Sequence, residues 1–146
     1  MLIAAIDRTL FAGEAQRLSG MNRPPGRAAG LVATAYGAIT EEILLRLGLQ
    51  TILAAIIRNL RHEPLTQPSD GTLWTAIALS SLLFGAGHLP AARMMAGLTP
   101  RTVARVVLLN GILGLLFGYL YWQRGLEDAM LAHAGADLTL HVGLAR

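Results

Sequence analysis

Six ionisable side chains lie within segments of the chain that are otherwise apolar, and their chemistry is that of acid–base catalysis or metal binding. They are Glu41, Glu42, Arg46, His88, His133 and Asp137. A charged group at the centre of a lipid-embedded helix costs about 2.5–3.5 kcal/mol on insertion scales, so a short chain rarely keeps six of them for packing alone. We therefore expect these side chains to face one another in the interior of a helix bundle.

The first group has the pattern Glu-Glu-x-x-x-Arg. Glu42 and Arg46 are four residues apart, so on a helix they share one face and can form an ion pair. Glu41 lies about 140° from Arg46 around such a helix and is free to point elsewhere. A carboxylate without a cation of its own suits a general acid or base that acts on water. The pattern thus predicts a structural pair beside a catalytic acid.

The other two groups each add an imidazole. His88 follows Phe84 by four residues in Phe-Gly-Ala-Gly-His, where small residues leave room for water, substrate or a metal. His133 and Asp137 are also four residues apart, so Asp137 can orient the imidazole or share a ligand role with it. Two histidines and a carboxylate can complete a zinc site with an open position. The same residues also allow a water that is activated by glutamate alone, and both alternatives stay open.

The composition is that of a membrane protein. The chain has 146 residues, of which 53% are hydrophobic and 14% charged, against about 25% charged in ordinary soluble domains. The sequence has no cysteine, which excludes disulfides, thiolate zinc sites and a cysteine nucleophile. Its twelve strongly basic residues are all arginines, and they are scattered between apolar segments. This distribution is typical of charges that flank membrane helices, and it argues against nucleic-acid binding.

These features predict an all-α fold, a polytopic membrane helix bundle of about four spanning helices plus an N-terminal amphipathic helix. Residues 1–27 would form the interfacial helix, over 1–18, and a loop, while residues 28–146 would form the core. The spanning segments are predicted at 28–60, 71–92, 101–122 and 126–145. No His-Glu-x-x-His pattern occurs, so the core is not that of a zincin.

Two further patterns bear on packing and orientation. Gly114 and Gly118 form a GxxxG pair, which lets helix backbones approach closely in lipid. Eight arginines on the side of the N-terminus face three on the opposite side. This bias favours an integral membrane protein with both termini inside, in a bacterial-type inner membrane.

Taken in order, the three groups resemble the motifs of the CPBP family. These motifs are Glu41, Glu42 and Arg46, then Phe84 and His88, then His133 and Asp137. That family comprises the type II CAAX prenyl proteases and the bacteriocin-processing or immunity proteins, also called Abi proteins. The resemblance covers roughly residues 35–140. It implies an intramembrane endopeptidase.

The resemblance also implies a role for each residue. Glu41 would activate a water molecule that His88 helps to hold. His133 and Asp137 would bind or polarise the scissile carbonyl, or ligate a metal. Family members often have Asn at the position of Asp137, and an ionised Asp cannot donate a hydrogen bond to a carbonyl. The residues that would support the site are Glu42, Arg46 and Phe84.

Partners and a cofactor follow from the same resemblance. The substrate would be a peptide or protein, lipidated or not, that enters from the membrane lipid. The cofactor stays open between no metal and a divalent metal such as zinc, and in the second case His88, His133, Glu41 and Asp137 would bind it. Because the chain is shorter than most family members, we expect a minimal core, a truncated product or one half of a homo-oligomer. The alternatives are a non-catalytic immunity or scaffold protein and a bundle that transports ions or binds metal.

Overall fold

The computed structural model describes residues 2–19 and 27–139, and this part of the chain is helical with no strands. The all-α prediction is therefore confirmed. A π-helical segment follows the third helix without interruption. In chain order the elements are α1 (Leu2–Leu10), α2 (Ala12–Ser19), α3 (Arg27–Glu42), the π segment (Ile43–Gln50), α4 (Thr51–Leu60), α5 (Asp70–Gly87), α6 (Leu89–Ala96), α7 (Pro100–Arg124) and α8 (Leu126–Asp137).

Three helical stretches are long and apolar enough to cross a membrane, where about four were predicted. The candidate spans within the described residues are Thr34–Leu60, Asp70–Met95 and Pro100–Arg124. The predicted fourth segment, 126–145, is represented by α8, which has 12 residues and is about 18 Å long. That length falls short of the ~30 Å hydrocarbon core. The rest of that segment, from residue 140 onward, lies outside the described residues.

Close contact between α5 and α7 forms the centre of the bundle. The two helices run antiparallel, since Gly85 lies against Val107 and Ile77 lies against Gly118. A Cβ atom at Gly114 would lie 3.1 Å from the Cα of Ser81, so backbone approaches backbone here. The close packing that the GxxxG pair predicted is therefore present.

Gly85→Ala is expected to destabilise the protein by about 1–3 kcal/mol, the usual cost of overpacking. Its new Cβ would lie 2.6 Å from the carbonyl oxygen of Val107, so the helices must move apart. Gly87→Ala is the matched control, because a Cβ at that position meets nothing within 4 Å. The midpoint of thermal unfolding in detergent, followed by circular dichroism, measures both. Equal midpoints for the two variants would contradict the packing argument.

The N-terminal helices are fastened to the start of α7. The predicted amphipathic helix is present, but it divides at the buried Phe11 into α1 and α2. The Arg105 guanidinium donates to both carboxylate oxygens of Asp7, at 2.6 and 2.7 Å. Thr102 donates its hydroxyl to Glu14 at 3.0 Å. Residues 2–19 therefore lie against the same helix that forms the centre of the bundle.

The loop between α4 and α5 is closed by one carboxylate. Glu63 accepts hydrogen bonds from the Ser69 hydroxyl at 2.6 Å, the Ser69 amide at 2.9 Å and the Thr72 hydroxyl at 2.9 Å. The hydroxyl of Ser69, followed by its amide, holds the pKa of Glu63 below the ordinary value, so the carboxylate is ionised at neutral pH. Ser69 also caps α5, since its hydroxyl accepts from the Thr72 amide at 3.2 Å.

Candidate active site

The structure brings together the four residues that the sequence predicts to be catalytic. Glu41 lies in the last turn of α3, and His88 directly follows α5. His133 and Asp137 both lie on α8. The Glu41 Oε2 atom lies 4.0 Å from Nε2 of His88 and 4.0 Å from Nε2 of His133. Asp137 Oδ2 lies 3.8 Å from Nε2 of His133. Three separate helical elements therefore converge on one point.

The site has an open side and a closed side. The side chains of Glu41 and His88 are 38% and 35% exposed, whereas that of His133 is only 6% exposed. The Oε2 atom of Glu41 is nevertheless buried, and it accepts no hydrogen bond from the described residues. A carboxylate oxygen is thus aimed at the two imidazoles from a side chain that a substrate can reach.

Hydrogen bonds fix which nitrogen of each imidazole faces Glu41. Nδ1 of His88 lies 2.9 Å from the carbonyl oxygen of Phe84, and a carbonyl can only accept. Nδ1 of His133 lies 2.9 Å from a carboxylate oxygen of Glu42, which accepts as well when ionised. Both Nδ1 atoms therefore carry a proton, and both Nε2 atoms are left to act toward the site.

The Glu42–Arg46 ion pair is present as predicted, and it has a second function that the sequence did not indicate. Arg46 Nε donates to Glu42 Oε2 at 3.0 Å, and both side chains are fully buried. Glu42 uses its other oxygen to hold His133, so the orienting carboxylate comes from α3. Asp137, for which we expected either an orienting or a shared ligand role, lies on the Nε2 side of His133.

Behind the pair, a chain of polar groups continues through the bundle. Arg46 Nη1 donates to Ser80 Oγ at 3.4 Å, and Ser80 Oγ lies 3.4 Å from Gln50 Oε1. The amide nitrogen of Gln50 donates to the carbonyl of Gly118 at 3.1 Å. Sequence reasoning missed Gln50, although its position four residues after Arg46 extends the Glu42–Arg46 stripe along the same helix.

The π segment explains how one stretch of helix supplies so many polar groups. The Thr51 amide donates to the carbonyl of Arg46, five residues back, and the Thr51 hydroxyl donates to the same carbonyl at 3.0 Å. Hydrogen bonds of this span widen the helix, and such segments are frequent at functional sites. The segment begins directly after Glu42, so it starts at the site itself.

Aromatic rings hold the imidazoles in place. Phe117, which is 1% exposed, stacks on His133 with 4.7 Å between ring centroids and 13° between planes. Phe84 presents its ring edge-on to His88 at 4.8 Å and to His133 at 5.9 Å. The Arg46 guanidinium carbon lies 5.6 Å from the centre of the Phe84 ring. Phe84 thus contacts both imidazoles, while nothing in the sequence distinguished Phe117 from the apolar residues around it.

The four nominated residues have the right donor atoms for zinc, but their spacing is too wide for it. Zinc bonds of about 2.0–2.2 Å place tetrahedral ligand atoms about 3.3–3.6 Å apart. The separations here are 3.8 Å for His133–Asp137 and 4.0 Å for each histidine to Glu41. Within residues 2–19 and 27–139, no three His, Cys, Asp or Glu side chains are arranged to hold a metal ion. As they stand, these atoms are therefore slightly farther apart than the ligands of one zinc ion.

Comparison with known proteins gives one match. The family model described as type II CAAX prenyl endopeptidase Rce1-like matches residues 24–139, which is most of the chain. The match includes all three motifs that form the site. Comparisons with curated proteins and with solved structures gave no match.

Proposed function

Because this chain belongs to the Rce1-like family of type II CAAX prenyl endopeptidases, we propose that it hydrolyses a peptide bond within the membrane by means of a water that Glu41 activates. The family is one of CAAX-protease-type intramembrane endopeptidases, and the apolar helices make the chain an integral membrane protein. Beyond the family's general activity, we propose the reaction at this particular site and the role of each residue in it.

The position of one carboxylate oxygen carries this proposal. Glu41 Oε2 is 4.0 Å from each Nε2 atom, which is too far for a direct hydrogen bond. A single water can make hydrogen bonds of about 2.8 Å to two groups that are 4.0 Å apart, so a water can bridge Glu41 Oε2 to either Nε2 atom. A base that shares a water with an imidazole is the part that a hydrolytic reaction requires first.

Glu41 and His88 have separate roles in the attack of the water on the peptide bond. Glu41 takes a proton from the water, and the water oxygen forms a bond to the carbonyl carbon of the substrate. The carbonyl electron pair moves onto its oxygen to give an oxyanion. Nε2 of His88 accepts the other proton of the water in a hydrogen bond and so orients its attack. The proton held by Glu41 then passes to the leaving nitrogen as the carbon–nitrogen bond breaks.

His133 and Asp137 would act on the substrate side. When both nitrogens of His133 carry a proton, its Nε2–H can donate to the oxyanion while Glu42 holds Nδ1. An ionised Asp137 cannot donate in this way, so we assign it the acceptor position beside His133 Nε2, at 3.8 Å. The stacked Phe117 fixes the plane of the ring, which makes the direction of Nε2 a property of the fold.

His88→Asn is expected to lower kcat/KM for peptide cleavage by about 10²-fold, the low end of what a group acting on the proton of the nucleophile contributes. The protein is purified and placed in lipid nanodiscs with a fluorogenic peptide that ends in a farnesylated CAAX sequence. A second peptide without the farnesyl group tests whether a lipid on the substrate is required.

His62→Asn is the matched control, because His62 is an exposed histidine of the loop after α4. It is expected to cleave at the wild-type rate. If the wild-type chain cleaves neither peptide, the non-catalytic immunity or scaffold protein becomes the better account of the site. If His88→Asn cleaves as well as His62→Asn does, the role assigned to His88 is wrong.

A further inference from the structure

A cavity of about 380 Å³ lies at the end of the bundle that is remote from the candidate active site. It is bounded by α4, α5, the end of α7 and the loop between α4 and α5. Arg58 at its edge is 17 residues beyond Glu41 on one continuous helical stretch, which corresponds to roughly 25 Å. The residues that shape it include Thr51, Ala54, Ala55, Arg58, Tyr121 and Trp122.

The walls of the cavity suit a hydrocarbon chain. Ala54 and Ala55 leave space on the α4 side, and the rings of Tyr121 and Trp122 form the opposite side. The hydroxyls of Thr51 and Tyr121 lie 3.0 Å apart and satisfy one another. Cavities of this size with mostly apolar walls and few polar groups are the usual form of small-molecule sites.

One cation stands at the edge of these apolar walls. The Arg58 guanidinium donates from Nη1 to the carbonyl of Leu65 at 3.3 Å. Its Nε atom is buried and has no hydrogen-bond partner in the part of the chain that the structure describes. No carboxylate of that part forms an ion pair with Arg58. A buried N–H of a cation that lacks an acceptor costs free energy, and an anion that binds there removes this cost.

The neighbouring charged side chains, Arg61 and Glu63, already make hydrogen bonds to hydroxyl groups of the loop and of α5. Glu63 accepts from Ser69 and Thr72, and Arg61 donates from Nη1 to the hydroxyl of Thr72 at 3.1 Å. These bonds fix the loop that carries Leu65, one of the residues lining the cavity. The edge of the cavity is therefore held in place, and Arg58 is the cation of this loop region that is left to face a ligand.

We propose that this cavity binds an anionic single-chain amphiphile, with its acyl chain between Ala54 and Trp122 and its headgroup on Arg58. The headgroup is a carboxylate or a phosphate monoester, since both offer oxygens to the guanidinium fork. Arg58 is two residues from Leu60, the end of a candidate membrane span, which is where lipid headgroups meet a protein. This site is independent of the hydrolytic site, and neither proposal requires the other.

Tryptophan fluorescence tests this proposal directly, because Trp122 lines the cavity. The chain has two tryptophans, so Trp74→Phe leaves Trp122 as the reporter and keeps an aromatic ring against Tyr119. The purified variant in dodecyl maltoside is titrated with 9,10-dibromostearate, whose bromine atoms quench tryptophan at contact distance. We expect saturable quenching that depends on the charge of the probe, with much weaker quenching by its uncharged methyl ester.

Three further substitutions separate binding at a site from general uptake of the probe into the micelle. Arg58→Gln is expected to raise the apparent Kd for dibromostearate about tenfold, because a charge-assisted hydrogen bond is lost. Arg124→Gln removes an exposed arginine at the same end of the bundle and is expected to change nothing. Ala54→Leu fills part of the cavity and should abolish the saturable phase. Circular dichroism verifies that each variant is folded.

The headgroup is identified by competition. Unbrominated oleate and 1-oleoyl lysophosphatidate are each added to the quenched complex, and the one that restores fluorescence at lower concentration has the preferred headgroup. Equal quenching by the methyl ester, or an unchanged Kd in Arg58→Gln, would overturn the proposal, because either result describes an apolar surface without an anion site. The readout does not involve peptide cleavage, so its failure leaves the hydrolytic proposal unaffected.

Discussion

Replacement of Glu41 by Gln is expected to lower the rate of peptide cleavage by about 10³-fold, within the range that a general base contributes. The amide has the size of the carboxylate but cannot take a proton from water. Because Glu41 Oε2 accepts no hydrogen bond from the described residues, the exchange breaks no hydrogen bond of that atom. The loss should therefore appear in kcat, with KM and the unfolding midpoint close to those of the wild type.

Glu127→Gln is the matched control for this measurement. Glu127 is exposed and lies in the first turn of α8, the helix that also carries His133. The Glu127→Gln variant should cleave the peptide at the wild-type rate in the same nanodisc assay. Retention of more than a tenth of wild-type kcat by Glu41→Gln would show that another group activates the water.

Arg46→Met is expected to lower the free energy of unfolding by about 3–5 kcal/mol, the usual effect of removing one member of a buried ion pair. Arg46 and Glu42 are both 0% exposed, so the variant leaves the Glu42 carboxylate buried without its strongest partner. The side chain of Met has a similar reach, which keeps the loss of packing against Phe84 small. Chemical denaturation in mixed micelles measures the change.

The double variant Glu42→Gln/Arg46→Met distinguishes lost charge pairing from lost packing. With both charges removed, most of the stability should return, because no unpaired ion remains in the interior. Cleavage should stay low, since the amide of Gln holds Nδ1 of His133 less firmly than a carboxylate does. A double variant as unstable as Arg46→Met would show that lost packing, and not the unpaired charge of Glu42, causes the instability.

Contacts within one helix could be predicted atom by atom from the sequence, whereas contacts between helices could be predicted only as groups of residues that meet. The spacing of Glu42 and Arg46 was enough to predict their ion pair, because helix geometry alone brings them together. The bond between Glu42 and His133 joins residues 91 positions apart, and no spacing rule applies to it. The same holds for the stacking of Phe117 on His133, since one phenylalanine in an apolar helix resembles any other.

The positions of the helices could also be predicted from the sequence, but only in part. Apolar length placed α5 and α7 within a few residues of their observed ends, and Gly114 and Gly118 predicted that helices would pack closely there. The fourth predicted span is not among the three candidate spans of the described residues, and the part of it from residue 140 onward lies outside them. The π segment had no signal in the hydropathy pattern, since its apolar residues fit an ordinary helix equally well.

The π segment affects how the long helix that contains it would respond to the deletion of a residue. Its hydrogen bonds span five residues instead of four, so it holds surplus chain within the turns that it occupies. Deleting one residue between 43 and 50 would remove that surplus and let those turns close as ordinary α-helix, so Glu41 and Arg58 would largely keep their orientations. Deleting one residue between 51 and 57, where the helix is regular, would instead rotate Arg58 by about 100° away from Trp122 and leave Glu41 in place. The π segment therefore makes its own part of the helix tolerant of a one-residue loss that the regular helix after it would not tolerate.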